Sequence, residues 1–365
     1  MTALRGGDLR IAIIGYGFAG RVFHSSLISA TPGLRVAGIV ARRPEAAAEA
    51  AARFPRAAVC GDPEDVFAHA DLYNGVVIAT PNAFHVPLAL RAIAVGLPVV
   101  IDKPLAQSAA EAQRVADAAG RAGAPVTVFQ NRRFDSEILT LRRLAGDLDI
   151  GRKVRFDSTY GFFRPEIERS WREVPPTGSA PAGMLFDIGA HVVDQAVHLF
   201  GPIARVYGEV RAARAGARVP DDFFIAAQHA GGGPVSHLRG GLIQSANVPR
   251  LTLQGTRGSI QVEDQDPQEA QLQAGLAPDH PAFGVMDKPF ATHVDATGRA
   301  HRLPAVAGDQ TKFYRLWRQS LLGEGPPPVD IGSAVHTLGV LEAALRSSAE
   351  HLVVEVAQPP AGVQP

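Results

Sequence analysis

Residues Arg10–Phe23 read RIAIIGYGFAGRVF, and this stretch decides the predicted fold. The apolar run Ile11–Ile14 is typical of a buried parallel strand, and the glycines after it lead into a helix. In a dinucleotide-binding turn, Gly15 makes the tight turn, Gly17 lets the backbone approach the pyrophosphate, and Gly20 allows close helix packing. A glycine turn that serves only helix packing is the alternative. The predicted cofactor contacts of this turn are Gly15, Gly17, Phe18 and Ala19.

The composition limits the partners that we expect. The 365 residues suggest about two domains, and the 36 basic and 36 acidic side chains give a formal net charge of zero, which argues against a nucleic acid as the main partner. Cys60 is the single cysteine, so neither an internal disulfide nor a cysteine zinc site is expected. No apolar run has the length of a membrane span. We therefore expect a cytoplasmic protein that binds a small molecule and no metal.

The residues after the second predicted strand indicate which dinucleotide is bound. This strand covers Leu34–Val40, and an acidic residue just beyond it would accept hydrogen bonds from the ribose 2′-hydroxyl of NAD. The chain instead has Ala41, Arg42 and Arg43. Two guanidinium groups can pair with a 2′-phosphate, so NADP is favoured over NAD, although NAD is possible. The alternative is that the arginines are surface charges at a helix start.

Polar residues also follow two later strands of the predicted sheet. Thr80, Pro81 and Asn82 follow the strand Gly75–Ala79 at the edge where ligands of open α/β sheets bind. These three residues and His85 are predicted cofactor contacts, with helix capping or packing as the alternative role.

A lysine follows the next predicted strand, Leu97–Ile101. Asp102 and Lys103 are assigned to the cofactor site, and Lys103 is placed to reach the nicotinamide, where the hydride moves. A solvated loop lysine is the alternative interpretation.

The order of the predicted elements gives the fold class. Strands and helices alternate over residues 1–125, which predicts an α/β fold with a doubly wound parallel sheet of the Rossmann type. Residues 126–365 contain consecutive strands without helices between them, which predicts an α+β domain with a large, mostly antiparallel open sheet. The polar, proline-rich segment Glu263–Pro304 is predicted to run over that sheet.

The second half also carries candidate substrate residues. Asp187 and His191 are four residues apart in a predicted helix, so the carboxylate can orient the imidazole, and His191 is a candidate general base. A buried core histidine, or a metal site that includes His198, is the alternative. Four residues have side chains of the types that bind a polyol or sugar: Asn131, Arg133, Arg164 and Trp171. The alternative is that they form an internal salt-bridge network around Trp171.

Several blocks together resemble the Gfo/Idh/MocA family of dehydrogenases. They are GYGFAGRVFH, DKP, FQNRRFDSEILTL, FRPEIERSWRE and MLFDIGAHVVDQAVHLFG. The last three look like the subgroup that contains NADP-dependent scyllo-inositol dehydrogenases. The resemblance implies that His191 is the proton acceptor, that Asp187 lies beside the substrate, and that Lys103 is the motif lysine. Asp102 stands where the family usually has glutamate.

The same resemblance implies an activity and an assembly. The expected reaction moves a hydride between NADP and a secondary hydroxyl or ketone of a cyclic polyol or sugar, and the expected assembly is a homodimer or homotetramer through the C-terminal sheet. Another sugar or diol as substrate is one alternative. A non-catalytic NADP-binding sensor with the same fold is another, although a sensor would not need Lys103, Asp187 and His191 together.

Overall fold

The structure is a computed structural model that describes residues 7–167 and 182–359. Its strands are β1 Leu9–Ile14, β2 Leu34–Val40, β3 Ala58–Cys60, β4 Gly75–Ile78, β5 Val99–Ile101, β6 Val126–Val128, β7 Lys153–Gly161, β8 Ile203–Arg211, β9 Asp222–His229, β10 Val235–Gly241, β11 Leu251–Gly255, β12 Ser259–Val262, β13 Phe290–Val294, β14 Ala300–Pro304 and β15 Val354–Glu355. Its α-helices are α1 Ser25–Ser29, α2 Pro44–Arg53, α3 Pro63–Ala68, α4 His85–Ala94, α5 Ala109–Ala122, α6 Ser136–Asp147, α7 Ala190–Phe200, α8 Gln268–Gln273, α9 Thr311–Leu321 and α10 Ile331–Glu350.

Each of the helices α1 and α7 is preceded by a π-helical turn. These turns are Ala19–His24, which continues into α1, and Leu185–Gly189, which continues into α7. Short 3₁₀ turns lie at Ala70–Leu72, Asn82–Phe84 and Asn131–Phe134.

The N-terminal sheet has six parallel strands in the order β3-β2-β1-β4-β5-β6. Ile11, Ile13 and Ile14 of β1 have no exposed surface, because strands of a parallel sheet are covered on both faces. The strand order reverses at β1, which has β2 on one side and β4 on the other. Ligands of such sheets bind outside the carboxyl ends of the strands at this reversal, so the predicted Rossmann fold is confirmed and its edge is defined.

The chain forms two compact units, and the first is not continuous in sequence. It contains the residues up to Asn131 together with Gln268–Phe283 and Asp309–Ala334, and the second unit contains the rest. The predicted division at residue 125 differs from this because α9 belongs to the first unit. Its Trp317 packs against Gly75, and its Phe313 ring lies 5.0 Å from the Phe129 ring.

The sheet of the second unit has nine strands in the order β14-β13-β12-β11-β7-β10-β9-β8-β15. Within this sheet, the described strands pair antiparallel except for β7 with β10, so the predicted, mostly antiparallel sheet is confirmed. The prediction that Glu263–Pro304 merely runs over the sheet is wrong. This segment supplies α8 and the edge hairpin of β13 and β14, whose half-exposed strands leave only a weak alternation of polar and apolar residues.

One face of the large sheet is covered by helices, and the other face is open within the unit. On β7, Phe156 and Ser158 are fully buried, whereas Asp157 between them is half-buried and Arg155 before them is exposed. On the covered face, α10 packs on β8, where the backbone N–H of Gly208 donates to Ser347 Oγ at 2.9 Å. The helices α6 and α7 cover the same face and carry the polar residues described below.

Candidate functional site

The glycine turn after β1 has the geometry of a dinucleotide site. Gly15 has a φ of +103°, and a Cβ added there would lie 2.5 Å from the Ala79 carbonyl oxygen, so a side chain is excluded. A Cβ on Gly20 would collide with the Gly15 carbonyl. A Cβ on Gly17 would meet no atom within 4 Å, so its backbone is open to a ligand. Exposed Phe18 and half-buried Ala19 follow at the start of the π-helical turn.

The arginines after β2 lie on the same edge of the sheet. Ala41 is buried, whereas Arg42 and Arg43 are exposed, and Arg43 immediately precedes the first residue of α2. The guanidinium of Arg42 lies 6.0 Å from the ring centroid of exposed Phe84. A helix N-terminus flanked by two guanidinium groups favours a bound anion.

Of the predicted cofactor contacts after β4, Thr80 offers a hydroxyl group to a ligand, whereas His85 does not offer a ring nitrogen. Thr80 Oγ1 is buried and has no hydrogen-bond partner within the described chain, which fits a hydroxyl that a cofactor would pair. Pro81 and Asn82 follow it, exposed and half-buried. His85 is 1% exposed, and its ring nitrogens lie 2.8 Å from the carbonyl oxygens of Thr80 and Pro104. His85 therefore links two turns of this edge rather than offering a free nitrogen to a cofactor.

The lysine turn after β5 completes this edge. Asp102 and Lys103 are half-buried, and Asp102 Oδ1 accepts the Lys103 backbone N–H at 2.9 Å. Beneath Asp102 lies fully buried His24, whose Nε2 is 3.9 Å from the same carboxylate oxygen. Its Nδ1 is 2.6 Å from the Tyr314 hydroxyl. The carboxylate of the turn thus contacts a histidine that sequence reasoning did not select.

Burial controls the protonation of His24 and Tyr314. Burial lowers the pKa of His24 to about 4, although Asp102 acts in the opposite direction and His85 adds to the decrease. The pKa of Tyr314 is raised well above its usual value, by burial and by Asp102. His24 is therefore neutral and Tyr314 carries its proton at neutral pH.

The predicted substrate residues Asp187 and His191 lie in the second unit. Both residues lie in helical structure as predicted, but the first turn, Leu185–Gly189, is π-helical and includes Asp187, whose N–H donates to the Gly183 carbonyl at 3.0 Å. His191 is in the first turn of α7 and is 4% exposed, while Asp187 is half-buried. A buried imidazole four residues after a carboxylate suits a histidine with a fixed orientation.

The other predicted substrate residues have different surroundings. Arg133 is buried, and its Nε and Nη2 each donate to Asp194 at 2.8 Å, so these nitrogens are not available to a substrate without breaking an ion pair. Arg164 is exposed and its guanidinium lies 5.0 Å from the Phe162 ring centroid. Asn131 is buried in the first unit. Trp171 lies outside the described residues.

A buried polar cluster of the second unit was not foreseen. Arg250 Nη2 donates to Gln195 of α7 at 2.8 Å, its Nη1 donates to Ser158 of β7 at 2.7 Å, and its Nε lies 3.3 Å from Glu137 of α6. Burial, with Asp135 adding to it, raises the pKa of Glu137 to about 7, while Arg250 opposes the increase. The sequence signal was only a charged residue within an apolar helix pattern, as Glu137 is in α6.

The described parts of the chain hold neither a cluster of metal ligands nor a membrane-spanning helix. There, no group of three or more histidine, cysteine, aspartate or glutamate side chains could hold a metal ion. None of the helices in those ranges is long and apolar enough to cross a membrane.

Family models decide the assignment. The model of the Gfo/Idh/MocA oxidoreductase family with an NAD-binding Rossmann fold matches residues 9–130, and the model of its C-terminal alpha/beta domain matches residues 146–356. The chain belongs to this family. The predicted resemblance is thereby confirmed, and the glycine turn, Thr80 and the edge arginines lie within the part that the nucleotide-binding model covers.

Individual Gfo/Idh/MocA proteins resemble the chain over almost its whole length. The scyllo-inositol 2-dehydrogenase (NADP(+)) IolW of Bacillus subtilis is 30% identical over 94% of each chain, and the uncharacterized oxidoreductase YdgJ of Escherichia coli is 31% identical over 93% of this chain and 96% of its own. Among solved structures, a Klebsiella pneumoniae protein described as an oxidoreductase has a TM-score of 0.87 at 33% identity, with 97% of both chains covered.

Proposed function

We propose that the chain is an NADP-dependent dehydrogenase that interconverts a secondary hydroxyl and a ketone on a cyclic polyol or sugar resembling scyllo-inositol. The observation that carries the proposal is the lysine turn, Asp102-Lys103, on the same sheet edge as an open glycine turn. A nucleotide site needs no lysine at the end of β5, whereas an ammonium group there can donate a hydrogen bond to a reacting substrate oxygen. The substrate class rests on the similarity to IolW.

The preference for NADP rests on charge. Arg42 and Arg43 are exposed beside the start of α2, and Ala41 takes the place of the carboxylate that would bind a free 2′-hydroxyl. Guanidinium groups pair with phosphate in a two-bond geometry that a lysine does not reproduce. NADP is therefore the proposed cofactor, with its pyrophosphate at Gly17 and a hydroxyl contact from Thr80.

Each residue of the proposed catalytic group has one role. Bound at this edge, the nicotinamide supplies or takes up the hydride. In the oxidation, His191 takes the proton of the substrate hydroxyl, and Asp187 keeps the imidazole in the required orientation. Lys103 donates a hydrogen bond to the same substrate oxygen and so stabilises the negative charge that develops there. In the reduction, protonated His191 returns the proton to that oxygen.

We also propose a homodimer or homotetramer, located in the cytoplasm, that pairs through the open face of the nine-stranded sheet. Exposed charged residues alternate there with partly covered apolar ones, as Arg239 does with Phe224 on the neighbouring strand. Sedimentation of the purified chain tests this assembly, and a monomer at micromolar concentration would contradict it.

The activity is tested with a panel of inositols, aldoses and their keto forms, each assayed with NADP and with NAD at the absorbance of the reduced nicotinamide. We expect turnover of an inositol or related cyclic polyol, with NADP preferred. In the double variant R42A/R43A, we expect KM for NADP to rise at least about 10- to 100-fold, which is the effect of losing one charged hydrogen bond of about 1.5–3 kcal/mol. KM for NAD should change little.

Arg56→Ala is the matched control, because Arg56 is an exposed arginine of the same unit outside the proposed edge. A wild-type preference for NAD would contradict the role of the arginines. Tight dinucleotide binding without turnover of any compound in the panel would support the sensor alternative instead.

A further inference from the structure

The loop between β8 and β9 carries a buried ion pair in the second unit. Arg214 Nε donates to Asp221 Oδ2 at 2.8 Å, and the two side chains are 3% and 2% exposed. Two charges are removed from water here, which is costly unless further hydrogen bonds satisfy the remaining donors and acceptors. The partners of those remaining groups therefore indicate what the pair holds in place.

Arg214 extends beyond its own loop. Its Nη1 donates to the carbonyl oxygen of Arg164 at 3.0 Å and to that of Glu166 at 2.9 Å. These carbonyls belong to the chain that follows β7, where the predicted substrate residue Arg164 is exposed. One planar guanidinium thus joins the carboxylate of the loop to the backbone beside a substrate residue.

Asp221 and Pro220 link the loop to the backbone beside Arg164 and to the turn that contains Asp187. The Asp221 carbonyl accepts the Leu242 N–H at 3.1 Å, and Leu242 in turn accepts the Arg164 N–H at 2.7 Å. The carbonyl of Pro220 accepts the Met184 N–H at 2.8 Å, directly before the turn that contains Asp187. Asp221 Oδ1 also accepts the Ala213 N–H at 2.6 Å, which closes the loop on itself.

We propose that Arg214 is a positioning residue, which with Asp221 fixes the segment Arg164–Glu166 and the start of the helix bearing Asp187 and His191 in one frame. The proposal rests on the proposed function for the role of those two segments, while the contacts are independent of it. A displacement of about 1 Å can cost about 100-fold in rate, so a rigid frame has a direct effect on turnover.

The chain contains a matched control at the strand ends that flank this loop. Arg211 Nε donates to Asp222 Oδ2 at 2.7 Å, and the Arg211 side chain is 67% exposed. Exposed pairs of this kind contribute little to stability. The two pairs therefore have the same chemistry and differ in burial and in the carbonyl contacts of Arg214.

The experiment compares R214M, R214K and D221N with R211M and D222N in the full chain. Amide hydrogen exchange is followed at Arg164, Met184 and Leu242, whose N–H groups belong to the frame. Initial rates with the best polyol and the dissociation constant for NADP are measured in parallel. In R214M we expect exchange at the three amides to be about 10- to 100-fold faster, and kcat/KM for the polyol to fall by about the same factor.

R214K should give a smaller effect than R214M, because one ammonium group keeps the charge but cannot reach the carboxylate and both carbonyls in a planar fork. NADP affinity should stay within about twofold of wild type, since the pair lies in the other unit. R211M and D222N should match wild type in every measurement. If R214M does not fold, R214K and D221N, which keep side-chain volume and one hydrogen bond, decide the question.

Unchanged exchange at the three amides overturns the proposal, and so does equal acceleration in R211M. Faster exchange with unchanged kcat/KM also overturns it, because the pair would then stabilise the loop without positioning anything. If the wild-type chain turns over no substrate in the panel, the proposed function fails on that result alone. The exchange measurements would then decide separately whether Arg214 holds the two segments.

Discussion

The nucleotide edge of the first unit and the proposed substrate segments of the second unit are held in different ways. Around Gly15 the constraints come from backbone atoms at the strand ends, since a Cβ on Gly15 would meet the Ala79 carbonyl and a Cβ on Gly20 would meet the Gly15 carbonyl. Around Asp187 and Arg164 the constraints are buried side-chain pairs such as Arg214 with Asp221 and Arg133 with Asp194.

This difference indicates how each region can vary. A local backbone turn has few residues that can satisfy it, whereas a buried pair can be exchanged for another pair that holds the same backbone. The proposed substrate segments, which side-chain pairs support, can therefore change in shape while the sheet stays the same. The His24–Tyr314 contact is an exception in the first unit, because it joins residues 290 positions apart.

The largest expected effect is a loss of turnover when Lys103 of the first unit or His191 of the second unit is replaced. Lys103→Ala and His191→Asn should each lower kcat by about 1,000-fold, which is within the range for loss of an acid–base group or a charge-stabilising donor. NADP affinity should change less than tenfold. Steady-state kinetics and a binding titration measure both quantities. Lys153→Ala and His69→Asn, at exposed positions, are the controls, and near-normal turnover in either test variant would remove that residue from the mechanism.

The next effect concerns acid stability and His24. Its pKa is about 4 in the folded chain against an ordinary value of 6.5, so the unfolded chain takes up the proton first as the pH falls. The free energy of unfolding should therefore be highest above pH 6.5 and decrease towards pH 4, and His24 alone should account for about 3 kcal/mol of that decrease. Urea unfolding at several pH values should show a shallower acid decrease in H24N than in wild type. An equal slope in both proteins would exclude His24 as a source.

The smallest effects separate two glycines of the same turn. Gly20→Ala should destabilise the chain by about 1–3 kcal/mol, because its methyl group collides with the Gly15 carbonyl. Gly17→Ala should change the unfolding free energy by less than about 0.5 kcal/mol, yet weaken NADP binding at least about tenfold, because the pyrophosphate needs the open backbone. Urea unfolding and a binding titration test the pair. Equal behaviour of the two variants would show that Gly17 is not a ligand contact.

The sequence predicted what local periodicity and turn chemistry determine. The strand Leu34–Val40 was predicted with the bounds that the structure has, and the predicted strand Gly75–Ala79 ends one residue later than β4. These features depend on neighbouring residues, so they are visible in a short window of sequence.

The side-chain pairs were not predictable in the same way. Arg214 reaches a carbonyl 50 positions earlier in the chain, and Arg133 pairs with Asp194 across 61 positions. No periodic pattern encodes such partners, because they follow from the register of strands and helices that are distant in sequence. For the same reason Arg133 was predicted as a substrate contact, although its guanidinium is engaged in a buried ion pair.

The late segments of the first unit have a consequence for synthesis and engineering. Trp317 packs on Gly75, Tyr314 contacts His24, and Thr127 Oγ1 donates to the Val329 carbonyl at 2.9 Å. The nucleotide-binding unit therefore cannot complete its core until the ribosome has released almost the entire chain. A fragment ending at Asn131 would expose Phe129 and lack α9. A chimera that exchanges cofactor specificity must accordingly take residues 268–283 and 309–334 together with the N-terminal sheet.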